Sequence, residues 1–339
     1  MQKKFGGDIP VLSARGKSLA EAWEKAVLVL YAKGCKIKTQ YDKPEDPPSI
    51  DATMTIVTEN PSSEPKIHKC FPGGLEDLQE YKMEVVEGIK DSWIREPTNP
   101  LDTKWEYTYH GRLFKREMPI TEAMKYVSSM SNELKKELLE RGVRVLLDMP
   151  WIEEKKRKVG DKLEDIVVIN QIEACIDMLS KSPYTRRAQA ITWQPEEDLV
   201  SYDPACLQSI WFRMLKGDDG IYRLNMNIRI RSNDAYGASF MNMFGFTSLQ
   251  EYVADGISKK RGEIIKLGRY FHQADSFHIY GKDLEEFKQR LVNRLGATTF
   301  EERTFRSDDS LVKQIMEEAK PKILEKVKKQ TEQSRSGDN

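Results

Sequence analysis

"YRLNMNIRIRS", residues 222–232, alternates strictly: Leu224, Met226, Ile228 and Ile230 fall on one side, Asn225, Asn227, Arg229 and Arg231 on the other. Successive side chains of a strand point to opposite faces, so this stretch is read as a strand with one dry and one wet face. Two extended segments precede it, "RRAQAITW" at 186–193 and "CLQSIWFRM" at 206–214. A helical pattern, "FMNMFGFTSLQEYVADGI" at 240–257, and a further strand at "DSFHIYG", 275–281, come after it. Runs of strands and helices that do not simply alternate give an α+β fold, a mixed sheet packed with helices.

Working outward, "SLAEAWEKAVLVLYAKG" (18–34) predicts a helix, with Ser18 as its cap, Glu21 three residues on and Gly34 at its end. The proline- and acid-rich "YDKPEDPPSIDA" (41–52) reads as a loop, and "ATMTIVT" (52–58) as a strand. "FPGGLEDLQEYKMEVVEGIKD" (71–91) predicts a turn into an amphipathic helix, and "KWEYTYHGRLF" (104–114) an aromatic strand or loop. From Pro119 to Arg157 the charged sequence is expected to be mostly helical, and "IVVINQIEACIDMLSKS" (166–182) to be one helix. Beyond Ser310 a helix should pass into a frayed polar tail.

With 339 residues, 39% hydrophobic and 32% charged, the chain can bury one substantial core or two smaller ones. Lys+Arg and Asp+Glu balance at 54 each, which argues against a general binder of DNA or of membrane surfaces, since such binders carry excess positive charge. Cys35, Cys70, Cys175 and Cys206 are scattered without a CxxC, so free thiols in a reducing compartment are expected, with no disulfide framework and no metal site. The N-terminus lacks an apolar leader and no window approaches the roughly 18 apolar residues of a membrane span, so a cytoplasmic protein is expected.

Cys206 sits between the turn-forming Asp203-Pro204 and an apolar, aromatic run, so it is either packing or a nucleophile. Four segments decide it together: "SPYTRRAQAITW" (182–193), "DPACLQSIWFRM" (203–214), "RIRSNDAYGASFMN" (229–242) and "DSFHIYGKDLEEF" (275–287). In order and spacing they resemble the thymidylate synthase family, which includes pyrimidine-nucleotide hydroxymethylases. That family carries a paired arginine, a Pro-x-Cys or Pro-Cys nucleophile, Arg-Ser-x-Asp with an Asn beyond it, and His-x-Tyr. The resemblance runs from Val167 to Phe287 and more weakly back to Tyr107. It implies a catalytic core over 101–310, an N-terminal elaboration of that same domain over 1–100, and a C-terminal helix and tail over 311–339.

By this resemblance Cys206 adds to C6 of a pyrimidine ring, making C5 a carbon nucleophile for a one-carbon unit. A strand-borne cysteine near arginines should have its thiolate stabilised. Arg231 and Ser232 match the nucleotide-phosphate ligands, a guanidinium fork and a hydroxyl donor. Arg186 and Arg187 match the pair that reaches a neighbouring subunit's phosphate, which implies a homodimer with shared sites. His278 and Tyr280, two apart on a strand, would hold sugar hydroxyls from one face. Asn242 matches the base-reading amide, Asp234 in the stretch with Asn233 a folate ligand, and Trp105, Tyr107 and Tyr109 aromatics near the folate. The acid–base carboxylate falls in "EYKMEVVEG", which offers Glu80, Glu84 and Glu87; Glu84, before two valines, fits the family's pattern best.

Leu207 follows the nucleophile where many members carry His, and "YGASFMN" replaces "LGLPFN", so the chain looks nearer the divergent archaeal-type or antibiotic-pathway members. The implied activity is conversion of dUMP to dTMP with 5,10-methylenetetrahydrofolate. The alternatives are a hydroxymethylase acting on UMP, CMP, dUMP or dCMP, and a non-catalytic nucleotide- or RNA-binding homologue. The chain lacks the short apolar end that closes over folate in typical synthases, and the fate of the one-carbon unit depends on how dry the site is.

Overall fold

The computed structural model describes residues 7–95, 104–123, 131–140, 149–159 and 162–336. β1 (Val11–Gly16) leads into α1 (Leu19–Lys33), whose first turn is capped by the Ser18 hydroxyl accepting the Glu21 amide. The short β2 (Cys35–Ile37), β3 (Ser49–Thr58) and the two-residue β4 (Ile67–His68) follow. α2 (Leu75–Glu87) stops at Gly88, where φ is 68° and a Cβ would lie 2.2 Å from His110 Nδ1, so only glycine fits. Next come α3 (Tyr109–Phe114), β5 (Arg116–Pro119), α4 (Ile120–Ala123), α5 (Asn132–Glu140), β6 (Ile152–Val159) and β7 (Lys162–Ile169). α6 (Gln171–Lys181), β8 (Gln189–Ile191), α7 (Pro195–Asp198), β9 (Leu207–Lys216) and β10 (Tyr222–Asp234) precede the long α8 (Ser239–Arg261). β11 (Ile265–Ile279), α9 (Leu284–Arg290), β12 (Thr304–Phe305) and α10 (Ser310–Ser336) complete the chain.

The main sheet runs β1-β3-β11-β10-β9-β8, with β2 also on β3. β1 pairs with β3, and β10 with β11, in parallel; the other pairs are antiparallel, which makes the α+β, mixed-sheet architecture. The dry side of the alternating stretch is buried as expected: Leu224, Met226, Ile228 and Ile230 join Ile210, Phe212 and Tyr270 beneath α8. α8 buries residues all round, Phe240, Phe246, Leu249 and Ile257 among them, because it lies between the sheet and α2 and α6. Each such side chain contributes about 1.5–3 kcal/mol of transfer free energy, which makes this layer the core.

Four expectations are corrected. The charged stretch from Pro119 to Arg157 is not all helix, because Ile152–Val159 forms β6, paired antiparallel with β7. Residues 109–114 form a helix, not a strand: Thr108 caps it by accepting the Gly111 amide, and His110, Leu113 and Phe114 are buried at helical spacing. The stretch 166–182 is not one helix, because Ile166–Ile169 belongs to β7, whose β-branched run pairs with β5 and β6 before Asn170 caps α6. The polar tail is helical through Ser336; Ile323 and Val327 pack on Met83 of α2, and Thr331 accepts the Trp93 indole N–H at 3.1 Å. Among the described residues no helix is long and apolar enough to cross a membrane.

Candidate active site

Strand direction gathers the chemistry at one end of the sheet. β10 and β11 run parallel, so both finish there, while the antiparallel β3 and β9 both begin there. The register sets Asp234 of β10 beside His278 of β11 and His278 beside Asp51 of β3. Cys206 immediately precedes β9, and its carbonyl accepts the Arg231 amide at 2.8 Å. The first turn of α8 brings Asn242 to the same end.

Cys206 is half-buried. Its amide donates to the Tyr107 hydroxyl at 3.2 Å, and the neighbouring Leu207 amide donates to Tyr109 at 3.3 Å, so two tyrosines hold the turn that presents the sulfur. Burial pushes the thiol above its ordinary range, while the Arg231 guanidinium pulls it down, the Asp203 carboxylate raises it and the Tyr107 hydroxyl lowers it. The expected stabilisation by arginine is thus present but outweighed by desolvation. Arg231 also braces the turn, since its Nε donates to the Ala205 carbonyl at 3.2 Å and its Nη2 to that of Pro204 at 2.5 Å.

Asn242 is buried in a chain of hydrogen bonds. Its Nδ2 donates to Asn233 Oδ1 at 3.1 Å, and Asn233 meets His272 Nε2 at 2.9 Å. Its Oδ1 accepts from the hydroxyl of Tyr81, a residue that sequence reasoning missed. Tyr81 lies three residues before Glu84 on α2, so one helical turn separates them and the Glu84 charge raises the already buried phenol further. Glu84 itself bonds Lys90 at 2.9 Å; burial raises its carboxyl and the ammonium pulls it back. Lys90 also takes Glu80 at 2.8 Å, and its ammonium lies 5.2 and 5.4 Å from the ring centroids of Trp93 and Trp105. Trp105 joins this cluster and is exposed as a residue.

His278 and Tyr280 have ring centroids 4.6 Å apart, although β11 ends at Ile279 and Tyr280 stands just past it. Burial pushes the Tyr280 phenol up to about 12, with the charges of Asp234, Tyr41 and Cys206 adding to it. His278 is 6% exposed, and its Nε2 is a buried nitrogen without a hydrogen-bond partner among the described residues. Asp234 Oδ1 accepts the amides of Tyr236 and Gly237 at 3.1 and 2.8 Å, while Oδ2 meets no donor among the described residues. Ser232 is half-buried on β10, in register with Ser276. Arg186 and Arg187 are exposed on the approach to β8, and neither guanidinium meets a partner among the described residues.

A half-buried cysteine beside an arginine, a buried amide held on two sides and a buried imidazole nitrogen without a partner among the described residues thus gather at one sheet end, a combination suited to binding a polar ligand beside a thiol. The family model for thymidylate synthase matches residues 107–316. The chain belongs to the thymidylate synthase family. A Methanocaldococcus jannaschii relative named "Putative thymidylate synthase" is 27% identical over 285 residues, covering 82% of this chain and 96% of that one. One of the same name from Methanosarcina acetivorans is 24% identical over 269 residues, covering 79% and 89%. The solved thermostable thymidylate synthase A from Bacillus subtilis is similar at 14% identity and a TM-score of 0.47, covering 81% of this chain and 84% of that chain.

Proposed function

We propose that this chain transfers a one-carbon unit from 5,10-methylenetetrahydrofolate to C5 of dUMP, giving dTMP, through a covalent bond between Cys206 Sγ and C6 of the ring. The observation that carries the reading is the meeting of Cys206, Arg231, Asn242 and the unfilled His278 Nε2 at one sheet end. A binding module would have no use for the thiol.

The Cys206 thiol gives its proton to solvent, Arg231 and Tyr107 favouring the thiolate, and the thiolate adds to C6 as the ring's electron pair moves to C5 and the adjoining carbonyl. Asn242 holds the uracil edge through the second N–H of its amide and the remaining lone pair of its oxygen. Arg231 and Ser232 take phosphate oxygens, while His278 and Tyr280 take the sugar. Glu84 and Tyr81, one turn apart, are the groups offered for the proton steps at the base. Folate supplies the carbon and, for dTMP, the hydride. The free Asp234 Oδ2 fits a pterin N–H, and the ring of the exposed Trp105 offers a flat contact. Arg186 and Arg187, exposed and unpaired, would complete the phosphate site of a second copy in a homodimer.

A second reading, hydroxymethylation, turns on access at Cys206, which is half-buried rather than sealed. A site left open there would admit water to the activated carbon. The test is incubation of dUMP, UMP, dCMP and CMP with 5,10-methylenetetrahydrofolate, the products identified by mass spectrometry. We expect dUMP to gain a methyl group with dihydrofolate formed in step. Product carrying an added hydroxymethyl group, with no dihydrofolate, would select the second reading, and no product from any of the four would overturn both.

The shared site makes its own prediction. A subunit carrying Arg186→Ala and Arg187→Ala, mixed with a Cys206→Ala subunit, should regain activity, because each heterodimer assembles one site with both features. A monomer by sedimentation at assay concentration would contradict it.

A further inference from the structure

The N-terminal strand β3 reaches the site through one carboxylate. Asp51 is 8% exposed and stands opposite His278 in the β3–β11 register. Ser276 lies between them in space: its Oγ is 3.0 Å from each Asp51 oxygen and 3.1 Å from His278 Nδ1. A hydroxyl shared equally between both oxygens of a carboxylate donates its proton to them, which leaves the Ser276 oxygen as an acceptor. The nitrogen facing it, Nδ1, must then carry the ring proton. In neutral imidazole the other nitrogen is a bare acceptor, and that is the buried Nε2 without a partner.

We propose that Asp51 and Ser276 are positioning residues that hold His278 in its Nδ1–H form, so that Nε2 accepts a hydrogen bond from a hydroxyl of the bound nucleotide's sugar. This rests on the nucleotide reading above and assigns the N-terminal elaboration a part in it. On that reading the ligand group selected is a donor, the 3′ hydroxyl of the sugar. A sugar lacking it leaves Nε2 buried and unpaired, which is what makes such a contact discriminating.

Asp51→Asn keeps the shape but replaces one acceptor oxygen with an N–H donor and removes the charge, which frees the Ser276 hydroxyl to turn to His278 Nδ1 and favours the proton on Nε2. Ser276→Ala breaks the chain, and Ser276→Thr keeps its hydroxyl. Nitrogen-15 NMR of labelled imidazoles, read on the 4 histidines of the full chain, reports the tautomer directly. We expect the Nδ1–H form in the wild type and in Ser276→Thr, and the Nε2–H form in Asp51→Asn. With dUMP, Asp51→Asn and Ser276→Ala should raise KM roughly tenfold and leave kcat within about twofold, the signature of a contact made equally in ground and transition states. The penalty for 2′,3′-dideoxyuridine monophosphate, large in the wild type, should shrink in both.

An unchanged tautomer in Asp51→Asn, or an undiminished dideoxy penalty in Ser276→Ala, would overturn the proposal. Wild-type protein that binds no dUMP would overturn the nucleotide reading and the sugar contact with it, while the tautomer would still decide the Asp51–Ser276 relay.

Discussion

Two buried histidines are treated in opposite ways. His68, at 0% exposure, accepts the Cys70 amide on Nδ1 at 3.1 Å and meets Glu24 with Nε2 at 2.7 Å, and Glu24 grips Arg303 through two contacts of 2.9 Å. Every polar atom of that knot's rings and charges facing inward has a partner, and it ties α1 to the segment before α10. His278 keeps one nitrogen bare. A completed network holds the fold; the incomplete one, at the sheet end, is on the reading proposed above completed by a ligand.

The sharpest break at the incomplete site is Cys206→Ala. It should abolish turnover, a loss of at least roughly a thousandfold, while nucleotide binding stays within about tenfold, since only covalent addition needs the sulfur. Steady-state assays beside equilibrium binding of dUMP check it, and retained turnover would remove the covalent mechanism.

At the completed network the same kind of change should act on stability instead. Glu24→Gln leaves Arg303 buried without its counter-charge and should cost about 3 kcal/mol in urea unfolding, with kcat of the remaining folded enzyme unchanged. The pH dependence follows from the carboxyl. Burial raises it, but the hydrogen bonds of His68 and Arg303 and their charges win, holding it at about 2 against an ordinary 4.5. A carboxyl depressed on folding contributes stability that is fully present above its unfolded value and is lost as pH falls toward its folded one. The wild type should therefore weaken between pH 4.5 and about 2, and Glu24→Gln should weaken less over that window. Equal acid sensitivity of the two proteins would show that other carboxylates govern it.

The contrast also explains what sequence could reveal. The sheet end was legible because its residues are local in sequence: the 222–232 alternation, Arg231–Asp234 and His278–Tyr280 each lie within one strand or turn. Partners from afar were not. Asp51 reaches Ser276 across 225 positions and Tyr81 reaches Asn242 across 161, distances at which no spacing rule operates. Tyr81 was hidden further by Glu80, Glu84 and Glu87, which drew the chemistry of α2 toward carboxylates. The region from Arg116 to Ile169 misled for a different reason: Lys155, Lys156 and Arg157 suit a helix surface as well as the exposed β6–β7 hairpin, and charge alone does not choose between periods.

The smallest expected effect divides the two duties of Arg231, a cation that offsets burial at the Cys206 thiol and also a brace on the Pro204 and Ala205 carbonyls. Because desolvation already raises the thiol, iodoacetamide should alkylate the free wild-type protein faster as pH rises into the alkaline range, the thiolate being the reactive form. Arg231→Ala removes the pull, so the thiol climbs further and alkylation at a fixed pH should slow by roughly severalfold. Arg231→Lys keeps the charge but loses the planar fork that spans two carbonyls. If the charge governs the thiol, lysine restores the wild-type rate; if bracing governs it, lysine and alanine behave alike. We expect restoration, because charge acts through space while Tyr107 and Tyr109 still hold the turn by the Cys206 and Leu207 amides. Alkylation faster in Arg231→Ala than in the wild type would mean that Arg231 shields the sulfur more than it activates it.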